Sequence, residues 1–433
     1  MSFPPYPKYK PSGVEWLGDV PEHWEVWKMA HAFSVIGSGT TPRTDNRTYY
    51  DEGDIPWVNT GDLNDGILEA CEKHITRYAL AEHSSLKLYA PESILIAMYG
   101  ATIGKLGRLS FPATVNQACC VLSGISSIDP SYIFFWFVGL RQQILSLATG
   151  GGQPNISQDI IRSLRVGCPP LVEQTQIAAF LDRETGKIDE LVAEQRRLIE
   201  LLKEKRQAVI SHAVTRGLNP NAPTKPSGIQ WLGNIPEHWE ILATKRFFRL
   251  IVEPAPNDND FELLSIYTDI GVRPRKELEA KGNKATTTDG YWKVKMGDII
   301  VNKLLAWMGA IGVSNYDGVT SPAYDILRKT RPLEPRYFDY LFRCGICFTE
   351  FRRHSRGIMD MRLRLYFEEF GQLPMPFPPD KEQVEIVAFL EGETAKLDAL
   401  TAEAERAIEL LQERRTALIS SAVTGKIDVR NAV

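Results

Sequence analysis

Apolar positions recur at helical spacing in two long stretches without proline. From Leu171 to Arg216 there is one glycine, Gly186, and Ile177, Phe180, Leu181, Ile188, Leu191, Leu198, Leu202 and Val209 carry the period. From Asp380 to Thr424 there is again one glycine, Gly392, and Ile386, Phe389, Leu390, Leu397, Leu400, Ala404, Leu411 and Leu418 recur in the same way. At 1.5 Å per residue each stretch predicts a helix about 65 Å long. Ile188, Leu191, Leu198, Leu202 and Val209 fit the a and d positions of a heptad, with Gln195, Lys205 and Ala404 as imperfections. An isolated amphipathic helix cannot bury such a stripe. The two are therefore expected to pair as an antiparallel coiled coil.

Ahead of each helix lie short β-like runs separated by turns. Ser93 to Gly100 reads as a buried strand, with Gly297 to Asn302 as its counterpart. Each leads into a small-residue turn, Ala101-Thr102-Ile103-Gly104-Lys105 and Gly309-Ala310-Ile311-Gly312-Val313, where glycine permits positive φ and close backbone approach. Aromatic, helix-like stretches follow, from Tyr132 to Leu147 and from Tyr337 to Phe351. The pattern predicts an α+β protein: two pseudo-repeated α/β domains joined by two long helices. The expected boundaries are 1–170 for the first domain, 171–217 for its helix, 218–379 for the second domain, and 380–433 for the second helix and tail.

The two halves share a frame. Residues 11–25, Pro-Ser-Gly-Val-Glu-Trp-Leu-Gly-Asp-Val-Pro-Glu-His-Trp-Glu, return at 226–240 with eleven of fifteen identical. Residues 169–191 match 378–400 at 13 of 23 positions. The offsets are 215 and 209, and the segments between hardly resemble each other. A shared frame with unlike inserts points to one task performed twice on two different targets.

Composition adds limits. With 433 residues, 43% hydrophobic and 24% charged, the chain can build more than one real core. Its longest apolar run, Ile133 to Val138, is far short of the ~18–20 residues that span a bilayer. The first residues, Met1-Ser2-Phe3-Pro4-Pro5-Tyr6, lack a charged-then-apolar leader, so a cytoplasmic protein without a membrane partner is expected. Net charge is −4, but ten Arg/Lys against four Asp/Glu lie between Arg328 and Arg364. That segment is either a solvated helix face or a phosphate-tracking surface.

Catalytic chemistry is not visible. No G-x-G-x-x-G follows a strand. Gly100 to Leu106 imitates a phosphate loop, with three residues between its glycines instead of four and Leu106 where Ser or Thr should hold the metal. Cys168 and Phe377 precede the Pro-Pro pairs, so the Asn/Asp-Pro-Pro-aromatic signature of an amino-methyltransferase is missing. Cys344-x-x-Cys347 has zinc-ligand spacing without a second pair, and reads as buried thiols. His23 and His238 belong to the repeated Pro-Glu-His-Trp, which reads as an anchor for Trp24 and Trp239. No cofactor, metal site or enzymatic activity is expected.

The repeated Pro-x-Gly-x-x-Trp-Leu-Gly-x-x-Pro-x-x-Trp openings resemble those of the specificity subunits of type I restriction–modification enzymes. So do Pro169–Leu181 and Pro378–Leu390, Pro-Pro-x-x-Glu-Gln-x-x-Ile-x-x-Phe-Leu leading into a long helix. Within the inserts, Gly39-Thr40-Thr41-Pro42, Ile55-Pro56-Trp57-Val58, Gly61-Asp62-Leu63, Tyr99 to Gly104, Asn302 to Gly312 and Ser321-Pro322-Ala323-Tyr324 are similar to the family's target-recognition domains. The resemblance implies that each insert reads one half of a bipartite, asymmetric site in double-stranded DNA. It implies that the coiled coil fixes the spacing between half-sites and docks two methyltransferase (modification) subunits. Restriction (motor-nuclease) subunits would join through those, and this chain would have no catalysis of its own. The alternative is a stand-alone tandem DNA-binding module or regulator.

Reading base edges calls for Arg, Lys, Asn, Gln, Ser or Thr. In glycine-containing loops of the first domain the candidates are Thr40, Thr41, Arg43, Thr102 and Lys105; in the second they are Lys303, Arg352, Arg353, Arg356 and Arg362.

Overall fold

The computed structural model describes residues 3–125, 127–150, 154–277, 288–357 and 363–432. The chain forms two compact units, Met1–Gln195 with Arg406–Val433, and Arg196–Glu405. The division cuts both long helices, Leu171–Arg216 and Asp380–Val423, so each unit holds one mixed domain and a piece of each helix. Among the described residues no helix is long and apolar enough to cross a membrane.

The first unit is organised around a sheet of β1 (Phe33–Ser38), β2 (Gly66–Leu68), β3 (Ile94–Ala97), β4 (Leu106–Leu109) and β5 (Cys119–Ile125), in the order β1-β5-β3-β4-β2. All neighbours are antiparallel except β2 and β4. Successive side chains on a strand point to opposite faces. Ile94, Ile96, Cys120 and Leu122 accordingly enter the main core with the aromatic helix Pro130–Gly139, while Leu95, Ala97, Cys119 and Val121 enter a second core on the other face. A sheet covered on both faces explains why these strands read as unbroken apolar runs.

The second unit repeats the plan with β6 (Phe248–Ile251), β7 (Ile299–Asn302), β8 (Ile311–Val313) and β9 (Tyr324–Lys329), in the order β6-β9-β7-β8, all antiparallel. Ile299, Val301 and Leu327 face the main core, and Ile300 and Ile326 face the other. Four strands thus have the same order and sense in both units.

The repeated sequence blocks meet each other in space. Glu173, 5% exposed, accepts hydrogen bonds from Tyr6 Oη (2.7 Å) and Trp24 Nε1 (2.9 Å), and its Oε2 lies 2.7 Å from His23 Nε2. Glu382 receives Trp239 Nε1 (3.0 Å) and lies 2.7 Å from His238 Nε2. The neighbouring glutamines act in parallel. Gln174 donates to the Pro169 carbonyl (2.8 Å) and accepts from the Asp129 amide (2.7 Å). Gln383 donates to the Pro378 carbonyl (2.8 Å) and accepts from the Glu334 amide (2.9 Å). Asp129 and Glu334 in turn cap the two aromatic helices. The Pro-Glu-His-Trp block therefore does more than bury tryptophan: it clamps the first turn of each long helix.

The helices run antiparallel within each unit. In the first, Ile177, Phe180 and Leu181 share a core with Ile419, Ala422 and Val423, and Asp189 pairs with Arg415 at 2.9 Å. In the second, Ala213 and Val214 share a core with Ile386, Val387 and Leu390, and Arg206 pairs with Asp398. Asp398 lies 209 residues after Asp189, and Arg415 lies 209 after Arg206, so the two ion pairs are copies of one contact.

The seam differs from the expected heptad. Val192 and Ile199 are buried, whereas Leu191 and Leu198 are 45% and 41% exposed. The helix ends fix the phase: Leu181, Thr185 and Ile188 are buried, and continuing at steps of four and three selects Val192, Ile199 and Leu202. The polar Thr185 is tolerated there because its hydroxyl donates to the Leu181 carbonyl (2.6 Å), and Thr394 does the same to Leu390 (2.7 Å).

Candidate nucleic-acid interface

In both units, three connections emerge at one end of the sheet. In the first they are the loop leaving β1, the β3–β4 turn and the loop entering β5, brought together because Ser38 opposes Cys120 and Ala97 opposes Cys119. In the second they are the loop leaving β6, the β7–β8 turn and the loop entering β9, since Asn302 opposes Tyr324.

Most of the expected residues of the first unit fall at this end. Gly39 is forced by packing, because a Cβ there would overlap the Val115 carbonyl. The Thr40 carbonyl then accepts from Trp57 Nε1 (3.2 Å), and the Thr41 hydroxyl donates to Gln117 Oε1. Thr102 and Lys105 close the β3–β4 turn through Lys105 N–H to the Thr102 carbonyl (2.9 Å), with Gly100 and Gly104 at φ 84° and 76°. Lys105 is exposed, and its ammonium has no partner among the described residues. This turn joins two antiparallel strands and opens no helix, so it lacks the helix N-terminus of a phosphate loop. Arg43, also exposed, is held by Asp45 (2.8 and 3.2 Å). Gln117 was not among the expected residues. It is exposed in the loop entering β5 and touches Thr41, and its amide is of the type that pairs with adenine. Its sequence signal was Asn116-Gln117 directly before a buried strand.

In the second unit, Lys303 opens the β7–β8 turn, and its Nζ lies 3.1 Å from Asp325 Oδ1. Burial pushes the Asp325 carboxyl above the usual range, although Lys303 opposes the shift. The Arg352 guanidinium sits 5.4 Å from the Trp307 ring centroid, in the same turn. Arg353 lies 3.8 Å from Glu350, Arg356 pairs with Glu369, and Arg362 lies outside the described residues.

The basic segment does not form an unpaired cationic stripe. Arg328 is bound by Asp298 (2.7 and 2.9 Å) and Glu253 (2.9 Å), Arg336 by Glu391, and Arg343 by the carbonyls of Thr268 (3.0 Å) and Asp269 (2.8 Å). The acidic partners come from distant parts of the sequence, which is why a local count of charge overstates the exposed cation. Cys344 and Cys347 lie in the main core of the second unit, and burial raises the Cys347 thiol far above its usual range. Among the described residues no group of His, Cys, Asp and Glu could hold a metal ion.

Two copies of one frame presenting unlike strand-end loops match a known architecture. Residues 21–201 match the family model described as type I restriction modification DNA specificity domain. The chain is 27% identical over 228 residues to the MjaVIII specificity subunit of Methanocaldococcus jannaschii, covering 52% of this chain and 49% of that one, so it spans about half that relative's length. It is 21% identical to the EcoKI specificity subunit of Escherichia coli K12, over 95% of this chain and 90% of the other. A solved chain from a study of complex assembly and conformational transition of the type I R-M system has the same fold, with TM-score 0.70 at 15% identity, covering 94% of this chain and 99% of that chain. Over residues 21–201 in sequence, and over nearly the whole chain in fold, the protein is similar to type I restriction–modification specificity subunits.

Proposed function

We propose that this protein is the DNA-reading subunit of a type I restriction–modification complex, with each unit reading one half of a bipartite, asymmetric site. The observation that carries this reading is the shared four-strand sheet whose three strand-end connections hold unlike side chains in the two units. Thr41, Gln117, Thr102 and Lys105 read for the first unit; Lys303, Arg352, Arg353 and Arg356, with Arg362, read for the second. Phosphate contacts position such loops, and base-edge contacts specify the sequence.

The long helices set the spacing between half-sites and dock two copies of a methyltransferase subunit, through which restriction subunits join. Exposed leucines at repeat-related positions support a duplicated docking face: Leu191 and Leu201 on one helix, Leu400 and Leu410 on the other, each pair 209 residues apart. The chain itself contributes recognition and no catalysis.

A genome-wide map of methylated adenines, in cells expressing this chain with its methyltransferase, tests the reading. One bipartite motif is expected, and exchanging residues 26–168 for another family member's insert should change one half-site only. A change in both halves, or no methylated motif, would refute it. Inserting four residues near Gln195 or Ala404, about 6 Å of helix, should alter the spacer and leave the bases unchanged. Capture of a methyltransferase subunit in a coexpression pull-down separates this function from a stand-alone regulator.

A further inference from the structure

The β7–β8 turn of the second unit is unlike its counterpart in the first. Leu304, Leu305 and Met308 are 39%, 40% and 49% exposed, at the strand end where the reading loops gather. The turn is nevertheless tightly bonded. Asn302 Oδ1 accepts from the Leu304 amide (3.1 Å), the Leu305 carbonyl accepts from the amides of Met308 (2.9 Å) and Ala310 (3.0 Å), and Gly309 closes the bend at φ 96°. Trp307 is pinned from two sides, its Nε1 donating to the Leu304 carbonyl (3.0 Å) and its ring lying under Arg352. In the first unit the corresponding turn exposes only Ala101 and Lys105, and carries no exposed large apolar side chain.

We propose that residues 304–308 form a rigid apolar wedge that inserts into a base step of the half-site read by the second unit. This rests on the DNA-reading function proposed above. Proteins that kink duplexes insert Leu, Met, Phe or Ile between base steps, alongside Arg or Lys in the same groove. The tip is bonded to itself; beside it Arg352 covers Trp307, and Lys303, paired with Asp325, lies at its base. Arg364, whose backbone pairs with that of Arg356, is exposed and has no side-chain partner among the described residues. A stacked duplex behind a polyanionic backbone matches this arrangement of apolar tip and cationic rim. The first unit would read by hydrogen bonding on an undistorted groove, and the second would add the cost of deforming its sequence as a source of specificity.

The test uses the full chain in complex with its methyltransferase subunits and a duplex carrying the mapped site, with 2-aminopurine at successive positions away from the adenines that those subunits extrude. Wild type should give a severalfold fluorescence rise at one step in the half-site of residues 218–379, and none in the other half. The triple variant L304S/L305S/M308S should abolish the rise and weaken specific binding by about tenfold or more. L304M/L305M should retain the rise, because a wedge needs apolar surface more than a particular shape. M308S alone, at the most exposed position, guards against misfolding of the triple variant, with thermal melting as the control. Specific binding with no unstacked step overturns the wedge while leaving the DNA-reading function intact; so does a rise that survives the triple substitution. Loss of the methyltransferase subunit with unchanged DNA affinity also overturns it, by making the tip a protein contact. Absence of sequence-specific binding by the wild-type complex would instead sink the underlying function.

Discussion

The two units share a clamp and differ at the tip. Each anchors its long helix through a Glu that gathers His and Trp, and each presents three connections from one end of an identical four-strand order. Beyond that frame the resemblance stops. The first unit offers Thr41, Gln117 and Lys105 on polar turns; the second offers a leucine-rich turn beside cations mostly bound to acids. The difference teaches where a duplicated protein keeps its constraints. Buried hydrogen-bonded contacts between distant blocks hold the sequence in place, while solvent-facing loops are limited only by what they touch.

The comparison breaks most readily at the clamps. Glu173→Ala leaves Trp24 Nε1 and Tyr6 Oη buried without an acceptor, and should cost about 3 kcal/mol or more. Glu382→Ala orphans Trp239 and no tyrosine, and should cost about 2 kcal/mol. Urea unfolding followed by tryptophan fluorescence compares the two, and equal losses would deny that Tyr6 strengthens the first clamp.

The helix ends come next. Gly425 and Gly217 both adopt positive φ, but a Cβ on Gly425 would overlap Pro21 and lie 3.2 Å from Trp24, whereas at Gly217 the contacts are Glu382 Oε1 (3.0 Å) and Trp239 (3.3 Å). Gly425→Ala should therefore lose about 2–3 kcal/mol and Gly217→Ala about 1–2 kcal/mol. A smaller loss at Gly425 in thermal melting would reverse the assignment.

Lys105 and Lys303 occupy matching turns with unlike surroundings. Lys105→Ala should leave stability unchanged and weaken DNA binding. Lys303→Ala strands the Asp325 carboxylate and should cost about 2 kcal/mol, below the fully buried range because the pair is partly solvated. Parallel melting and salt-dependent DNA titration separate the two effects.

The smallest effect concerns the tail of the first unit. Hydrogen bonds from Arg430 hold the Asp428 carboxyl below its usual range. The folded protein thus binds that proton more weakly than the unfolded chain does. The pair's contribution is complete above the ordinary carboxylate pKa and disappears as pH falls through the depressed folded value. Asp428→Asn should cost roughly 0.5–1 kcal/mol at neutral pH, after allowance for solvent screening of the half-exposed guanidinium, and nothing in strong acid. A difference that persists at low pH would assign the effect to packing.

The frame was legible because it is written twice. Both helices, the aromatic elements and the strand pair Ile94–Ala97 and Ile299–Asn302 stand where periodicity puts them. The seam phase was not legible, since Leu191 and Val192 satisfy a helical period equally well and only packing at the helix ends distinguishes them. A third repeated block, residues 208–215 and 417–424 with six of eight positions identical, was hidden inside the helical period of the long helices. Its role appears only in space: Tyr337 Oη donates to the Val214 carbonyl (2.7 Å) and Tyr132 Oη to that of Val423 (3.2 Å). The interface was partly legible. Glycine-rich turns located the strand ends, but pairings such as Arg353–Glu350 and Arg356–Glu369 need folded partners to be seen.

The closing of the first unit by the last helix has a consequence for biosynthesis. Val423, Gly425 and Val429 complete a core begun by Tyr6 and Trp24, and the Asp428 amide donates to the Pro4 carbonyl (2.7 Å). Residues 196–405 belong to the other unit and are translated between the two parts. At the usual pace of translation a nascent first unit would wait roughly 10–40 s for its missing piece. During that interval Tyr132 and the Trp24 pocket stand open on the ribosome-bound chain. The domain that starts first finishes last, and a chain broken late in synthesis would damage the domain made at the beginning.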